Sequence, residues 1–297
     1  DERAQLGAHT LRPLMMVDGR ARLTTPYDML INQEVERQRG NDRHGSCGVG
    51  INETVVRCAT RFATTVDDLC RMGILRDKLD AIRKTYVPER LGQLGLEPGA
   101  FLQGCLATTT FIDQFNSSLW AFLDSMVMVE DTAEIGAADS VVFEGAQGLL
   151  LDEDSPFFPH VTRSKTGLRN VVALAREAGI DGLDVTYVTR AYLTRHGAGP
   201  FPTEDPDLAY ADDTNVRHDY QGALRFGRLD IDLLGASIRD DLREAKGMNV
   251  IHAIAVTHLD QVPNGPAVVK AVSEAAGPVR YVSHGPKRSD VALLAES

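Results

Sequence analysis

At 297 residues and a formal charge of −11, the chain is long enough for a large α/β core and too acidic for a general nucleic-acid or membrane-surface binder, which would carry a basic face. Its four cysteines, Cys47, Cys58, Cys70 and Cys105, show no paired metal spacing, so reduced thiols in a cytoplasmic protein are expected and no metal-ligand set is assigned. No apolar run is long enough to span a bilayer, while anionic small substrates stay open, because local arginines can outweigh an acidic total.

A glycine-rich segment, Gly45-Ser46-Cys47-Gly48-Val49-Gly50-Ile51-Asn52, comes first, with free backbone donors and a hydroxyl that can cradle a monophosphate. Val66, Leu69, Leu75, Leu79 and Ile82 then recur at helical spacing, and Pro88 with the glycines of 92–99 is expected to close that region. A second helix is predicted over Phe111 to Val129, with Phe111, Phe115, Leu119, Phe122 and Met126 on one face and Trp120 in the core. Strands are predicted at Val141–Phe143, Val185–Thr189, Val250–Val256 and Val279–Val282. Helices are predicted over Lys165–Ala178 (Leu168, Val171, Val172 and Ala175 inward) and Asp230–Ala245 (Ile231, Leu234, Ile238 and Leu242 inward). This alternation predicts an α/β fold with a mostly parallel central sheet flanked by helices. Pro200–Asn215, rich in Pro, Asp and Thr, reads as a surface excursion. No internal repeat is present.

The most informative run is Glu144-Gly145-Ala146-Gln147-Gly148-Leu149-Leu150-Leu151-Asp152, continuing to Pro159-His160-Val161-Thr162. A buried strand, Ser140–Phe143, is expected to arrive there at a turn of small residues presenting a carboxylate, the Gln147 carboxamide and the Thr162 hydroxyl. Gln147 donates and accepts at once, which suits a nucleobase edge or a reacting amide. Taken alone, Gly-Ala-x-Gly is also a common strand-to-helix turn.

That extended run resembles the core motif of the adenylosuccinate synthetase family. Arg195-His196-Gly197-Ala198-Gly199-Pro200-Phe201-Pro202-Thr203-Glu204 is similar to its Arg-Val-Gly-Glu-Gly-Pro-Phe-Pro-Thr-Glu signature, with two substitutions. The Gly45–Asn52 segment resembles its Gly-Thr-Thr-Gly-x-Gly-Ile-Gly loop, with Ser46 and Cys47 at the threonine positions. The resemblance implies a single domain over 1–297, related to P-loop NTPases, and a C–N ligase that is a homodimer. Ser46, Cys47, Gly48, Arg61 and Thr162 would hold a purine monophosphate, Arg61 reaching the neighbouring subunit's nucleotide. On its residues alone Arg61 reads as a solvated helix-start residue. Gln147 would be the catalytic contact to the base edge.

Tyr220-Gln221-Gly222-Ala223-Leu224-Arg225-Phe226-Gly227-Arg228 matches the family's aspartate loop less well, having lost most of its arginines. Gly222 and Arg225 are the aspartate-binding candidates, Arg225 alternatively serving the nucleotide sugar region, and Arg228 reads as solvent-facing. Val256-Thr257-His258-Leu259-Asp260 resembles the guanine-reading Thr-Lys-x-Asp, with His258 in place of lysine. Asp260 reads equally as a helix N-cap. Ser283, Gly285 and Pro286 resemble the loop packed beside the triphosphate's base.

The family's opening phosphate loop does not occur, and no Gly-Lys dipeptide is present anywhere. The expectation is a chain that starts downstream of that loop, and the alternative is a catalytically silent nucleotide-binding relative. Thr162-Arg163-Ser164-Lys165 where the usual enzyme has Thr-Ser-Ser-Asn, the short stretch between Asp260 and Gly285, and the depleted arginine loop resemble the phage-associated branch that adds aspartate to deoxyguanylate (dGMP). The implied chemistry uses L-aspartate, ATP (or dATP or GTP) and Mg²⁺, with inosinate (IMP) and GTP as the ordinary alternative.

Overall fold

Tertiary contacts sort the chain into two units, Asp1–Asn41 with Gly48–Thr132, and Asp42–Cys47 with Ala133–Ser297. The computed structural model describes residues 14–145, 147–212, 215 and 222–294.

The first unit is mainly helical. Strand β1 (Met16–Asp18) runs parallel to β2 (Val127–Val129). Helix α1 (Pro26–Arg39) opens with a capping box in which Thr25 and Asp28 satisfy each other's backbone donors, and Pro26 presets the first turn. α2 (Ile51–Cys58) follows. A 3-10 turn at Val66–Arg71 leads into α3 (Met72–Ala81), a π-helical turn at Ile82–Tyr86 and α4 (Val87–Leu94). α5 (Ala100–Ala107) and α6 (Thr110–Leu123) complete the unit. The predicted face Val66, Leu69, Leu75, Leu79 and Ile82 is buried, with Ile31, Val87, Leu91 and Ile112 packed into the same core.

Three expectations fail here. Gly95 ends α4 in a left-handed cap, as expected of the 92–99 glycines, but Pro88 does not stop the helix: the wider π turn immediately before it accommodates a ring that would otherwise press on the preceding turn. α6 ends at Leu123 rather than Val129, because Val127–Val129 pair with β1 instead. Trp120 is 58% exposed; its neighbour Leu119 takes the core position, and one residue turns a helix by about 100°.

The second unit begins with a short helix, α7 (Ala133–Gly136), and then α8 (Leu168–Glu177). β3 (Gly182–Arg190) leads through β4 (Tyr192–Arg195) to β5 (Arg225–Arg228). α9 (Ile231–Leu242) is capped by Asp230, whose carboxylate accepts from Leu233 N. β6 (Asn249–Thr257), α10 (Gly265–Ala276), β7 (Val279–Ser283) and β8 (Val291–Leu293) close the unit. The sheet order is β3-β6-β7-β8, with β3, β6 and β7 parallel and β8 antiparallel to β7. β4 and β5 form a separate antiparallel pair. Ile238, Ile254, Val256, Val272 and Val282 fill the main core, and Leu168, Val172 and Ala245 a smaller one. The mostly parallel sheet with flanking helices is as expected.

The buried strand expected at Val141–Phe143 does not form, and Val142 is 88% exposed. An apolar run becomes a strand only by pairing, and no neighbour takes it among the described residues. The described edge of β3 is likewise unpaired, with Val188 and, on β6, Ile251 exposed.

Candidate functional site

Parallel pairing brings three strand ends to one edge. Arg190 at the end of β3 lies opposite Thr257 of β6, and Val256 opposite Val282 of β7, so His258, Asp260, Ser283, Gly285 and Pro286 all leave the sheet together. In open α/β sheets ligands sit beyond such carboxyl ends. His258 adopts a left-handed conformation (φ 61°) that turns its ring edge-on to Tyr192, with centroids 5.6 Å apart. Burial, then the charge of Arg190, lowers its pKa, which favours the neutral imidazole. Asp260 is exposed and does not cap α10. Asn264 performs that task, accepting from Ala267 N at 3.2 Å. Ser283 is buried and donates to Gly285 O at 2.8 Å, and Asp290 shapes the following turn by accepting from Lys287 N.

A second group of loops gathers in the same unit. Thr162 N donates to Leu151 O at 2.9 Å, and Leu151 N to Gly148 O at 2.9 Å, so Thr162 and the exposed Gln147 belong to one folded turn. Asp152 steadies it from the other side, accepting from Thr166 N at 2.8 Å. Burial alone would raise its pKa, but the N–H groups of Asp154 and Thr166, with Lys165, bring the carboxyl below its usual value. Two residues before Thr162, His160 stacks obliquely on His44 (4.7 Å), and its carbonyl accepts from Arg195 Nη2 at 2.7 Å.

Gly45 and Gly197 then meet backbone to backbone. A Cβ on Gly45 would lie 2.5 Å from Gly197 Cα, and both residues have φ near +75° (76° and 73°), so neither position accepts a side chain. This contact sets Ser46 and Cys47 beside the 195–199 loop. Cys47 is exposed.

Arg225 clamps that loop. Its Nη1 donates to the carbonyls of Gly197 and Gly199, each at 3.1 Å, and its other edge makes a bidentate pair with Glu204. Most of its donors are therefore spent on the protein, and an aspartate ligand would have to share it with Glu204. Hydrogen bonding to Arg225, the largest cause, holds the Glu204 carboxyl below its ordinary value. Burial, then the neighbouring Arg225 charge, lowers the Arg195 guanidinium. Two guanidiniums against one paired carboxylate leave this corner cationic within an acidic chain, which suits a phosphate or carboxylate.

Arg61 and Gly48 belong to the first unit. Arg61 follows the end of α2 instead of starting a helix; it is largely exposed, 4.9 Å over the Phe62 ring and 3.9 Å from Glu89. Gly222 is described, but Tyr220 and Gln221 lie outside the described residues. Arg228 is exposed beside Asp205, as expected. Residue patterns alone did not single out His160, or the relay from Arg190 through Asp212 and Asn215 to His196. Asp212 and Asn215 were hidden because they fall in a stretch that reads only as a loop.

The adenylosuccinate synthetase profile matches residues 1–270. The chain belongs to the adenylosuccinate synthetase family. An adenylosuccinate synthetase of Synechococcus sp. is 34% identical over 193 residues, covering 64% of this chain and 42% of the relative. That of Hamiltonella defensa is 28% identical over 263 residues, covering 84% and 55%. The chain thus spans about half the length of the curated relatives it matches. The fully ligated adenylosuccinate synthetase structure from Plasmodium falciparum superposes with a TM-score of 0.58 at 17% identity, over 96% of this chain and 78% of the other. At that identity the likeness speaks for the family fold.

Proposed function

We propose that the protein is a purine nucleotide ligase that condenses L-aspartate with the 6-oxo group of dGMP, using ATP. The observation that carries the reading is the gathering of Thr162, His160, Arg195, Gly197 and the Gly45–Cys47 turn into one cationic corner, clamped by Arg225. In this reading Ser46, Cys47 and Thr162 hold the monophosphate, and Gln147 meets the edge of the purine. Gly222 and Arg225 serve aspartate. His258, Asp260, Ser283, Gly285 and Pro286 meet the base of the triphosphate at the sheet's carboxyl edge.

The chemistry proceeds in two displacements. The bond from the γ-phosphorus to the β,γ-bridging oxygen breaks and the nucleoside diphosphate leaves as the γ-phosphoryl bonds to O6 of the purine, N1 giving up its proton, which turns a poor leaving group into phosphate. The amine of aspartate then attacks C6, the C6–O bond breaks and phosphate departs with the oxygen. A family enzyme of this kind calls for Mg²⁺. Among the described residues no three His, Cys, Asp or Glu side chains converge into a metal-binding set, so no step is assigned to a metal here.

The lost arginines of the 220–228 loop and the Arg163-Ser164-Lys165 run favour the deoxynucleotide acceptor. The names of the curated relatives favour a second reading, IMP with GTP. Release of phosphate and a succinylated purine from dGMP, ATP and aspartate tests the first. Turnover of IMP alone moves the acceptor to inosinate, and failure to bind either monophosphate overturns both. Arg61 supports a shared site in a homodimer. In that case, mixing Arg61→Ala with Gln147→Ala protein restores activity through hybrid dimers, and subunits that exchange without recovery overturn it.

A further inference from the structure

We propose that His196 is a specificity-determining residue whose Nδ1 accepts a hydrogen bond from the sugar hydroxyl of the bound purine monophosphate, the 3′-hydroxyl in a deoxynucleotide. The proposal rests on the reading of the corner as a monophosphate site.

The tautomer of His196 follows from a chain of partners. Asp212, a carboxylate with acceptors only, takes Arg190 Nη1 at 3.0 Å, the backbone N–H of Asn215 at 3.0 Å and Asn215 Nδ2 at 2.7 Å. With its amide nitrogen committed to Asp212, Asn215 turns its Oδ1 to His196 Nε2 at 3.3 Å. That oxygen only accepts, so Nε2 carries the hydrogen and, in the neutral ring, Nδ1 is a bare lone pair. This Nδ1 is buried and has no hydrogen-bond partner. A buried acceptor left unpaired is costly, and at a ligand site it marks a position that a ligand donor completes. The glycine at 197 gives the turn the freedom to admit the donor.

Covalent geometry selects which donor. Gly197, the next residue, packs directly on Gly45, the residue before Ser46 and Cys47, which are assigned to phosphate. Next to a nucleotide's phosphate comes its sugar, whereas the base edge is given to Gln147. The neutral Nδ1 can take a hydroxyl hydrogen and cannot donate one, so it favours a sugar O–H over a second anion.

Calorimetric titration of the chain with dGMP and with 2′,3′-dideoxy-GMP, for the parent and for His196→Val, separates the possibilities. The parent is expected to bind dGMP roughly tenfold more tightly than the dideoxy compound, and His196→Val to erase that difference while leaving dideoxy-GMP binding unchanged. Equal loss for both ligands means a merely structural role and overturns the proposal. Binding of neither ligand by the parent overturns the monophosphate site itself, a distinguishable failure. If the variant does not fold, ¹⁵N-histidine NMR of the parent still decides. The Nε2–H tautomer is expected in the free protein, with an Nδ1 shift on adding dGMP but not dideoxy-GMP. An Nδ1–H tautomer, or equal shifts with both, overturns it.

Discussion

Among the bidentate arginine–carboxylate pairs of the described residues, Arg57–Asp28 in the first unit and Arg225–Glu204 in the second lie in different surroundings. Arg57 and Asp28 are fully buried. All five guanidinium N–H groups are used: two on Asp28 at 2.8 Å, and the others on Leu23 O, Phe62 O and Thr64 Oγ1. Asp28 also accepts from Thr25 N and Oγ1, so the pair ties the start of α1 to the end of α2. Arg225 and Glu204 are about one-third exposed, and two of Arg225's donors hold glycine carbonyls of a loop. A saturated pair away from water can only lock. A half-open pair on a loop holds a shape that an anionic ligand can compete for. Same chemistry, opposite use.

The sharpest way to break the comparison is Arg57→Ala, which strands the Asp28 carboxylate. The expected loss is about 3–5 kcal/mol in denaturant unfolding. Replacing both partners, Arg57→Met with Asp28→Leu, is expected to recover most of this, falling short by about 1 kcal/mol for the lost helix cap. A double variant as unstable as Arg57→Ala would show that packing, not a stranded charge, dominates.

Next in size is Gly45→Ala. The added carbon meets Gly197 in a left-handed backbone, at a cost of about 1–3 kcal/mol. Thermal melting reads the stability, and titration with dGMP or IMP should show a larger proportional loss of binding than the melting change implies. Intact binding would separate this contact from the nucleotide.

Arg225→Lys removes the fork but keeps the charge. Stability is expected to change by less than about 1 kcal/mol, as for other exposed pairs, while amides of 197–204 exchange faster and the KM for aspartate rises. Unchanged exchange would mean the clamp is redundant.

The smallest effect is one of pH. Hydrogen bonding to Arg225 depresses the Glu204 pKa. Its contribution to the folded loop is therefore complete above the ordinary glutamate value of about 4.3, and is lost as pH falls through the depressed folded value. Amide exchange of 197–204, corrected for its intrinsic pH dependence, should stay level from pH 8 to about 5 and rise only in stronger acid. For Arg57, burial would lower the pKa, but the Asp28 hydrogen bonds and charge outweigh it and raise it, so this pair should not respond at alkaline pH.

How much of this was legible along the chain depended on the range of the interaction. The core face Val66-Leu69-Leu75-Leu79-Ile82 and the strands at 185–189, 250–256 and 279–282 could be read, because periodicity and β-branched runs are local consequences of burying one face. The glycine-rich turn at 45–48 and the Arg195–Glu204 loop could be picked out by composition. Local pattern failed where a neighbour decides. Val141–Phe143 has the residues of a strand but pairs with no described strand, and Pro88 was absorbed by a π turn.

By itself, then, the order of residues determined an α/β chain with named glycine loops and arginines, because helix and strand propensities and backbone freedom act over a few residues. Only the tertiary structure decided that Arg57 closes on Asp28 across 29 positions, that Gly45 meets Gly197, and that Asn215 reaches both Asp212 and His196. Pairing two charged or backbone groups far apart in sequence depends on where packing places their elements, and no local pattern carries that information.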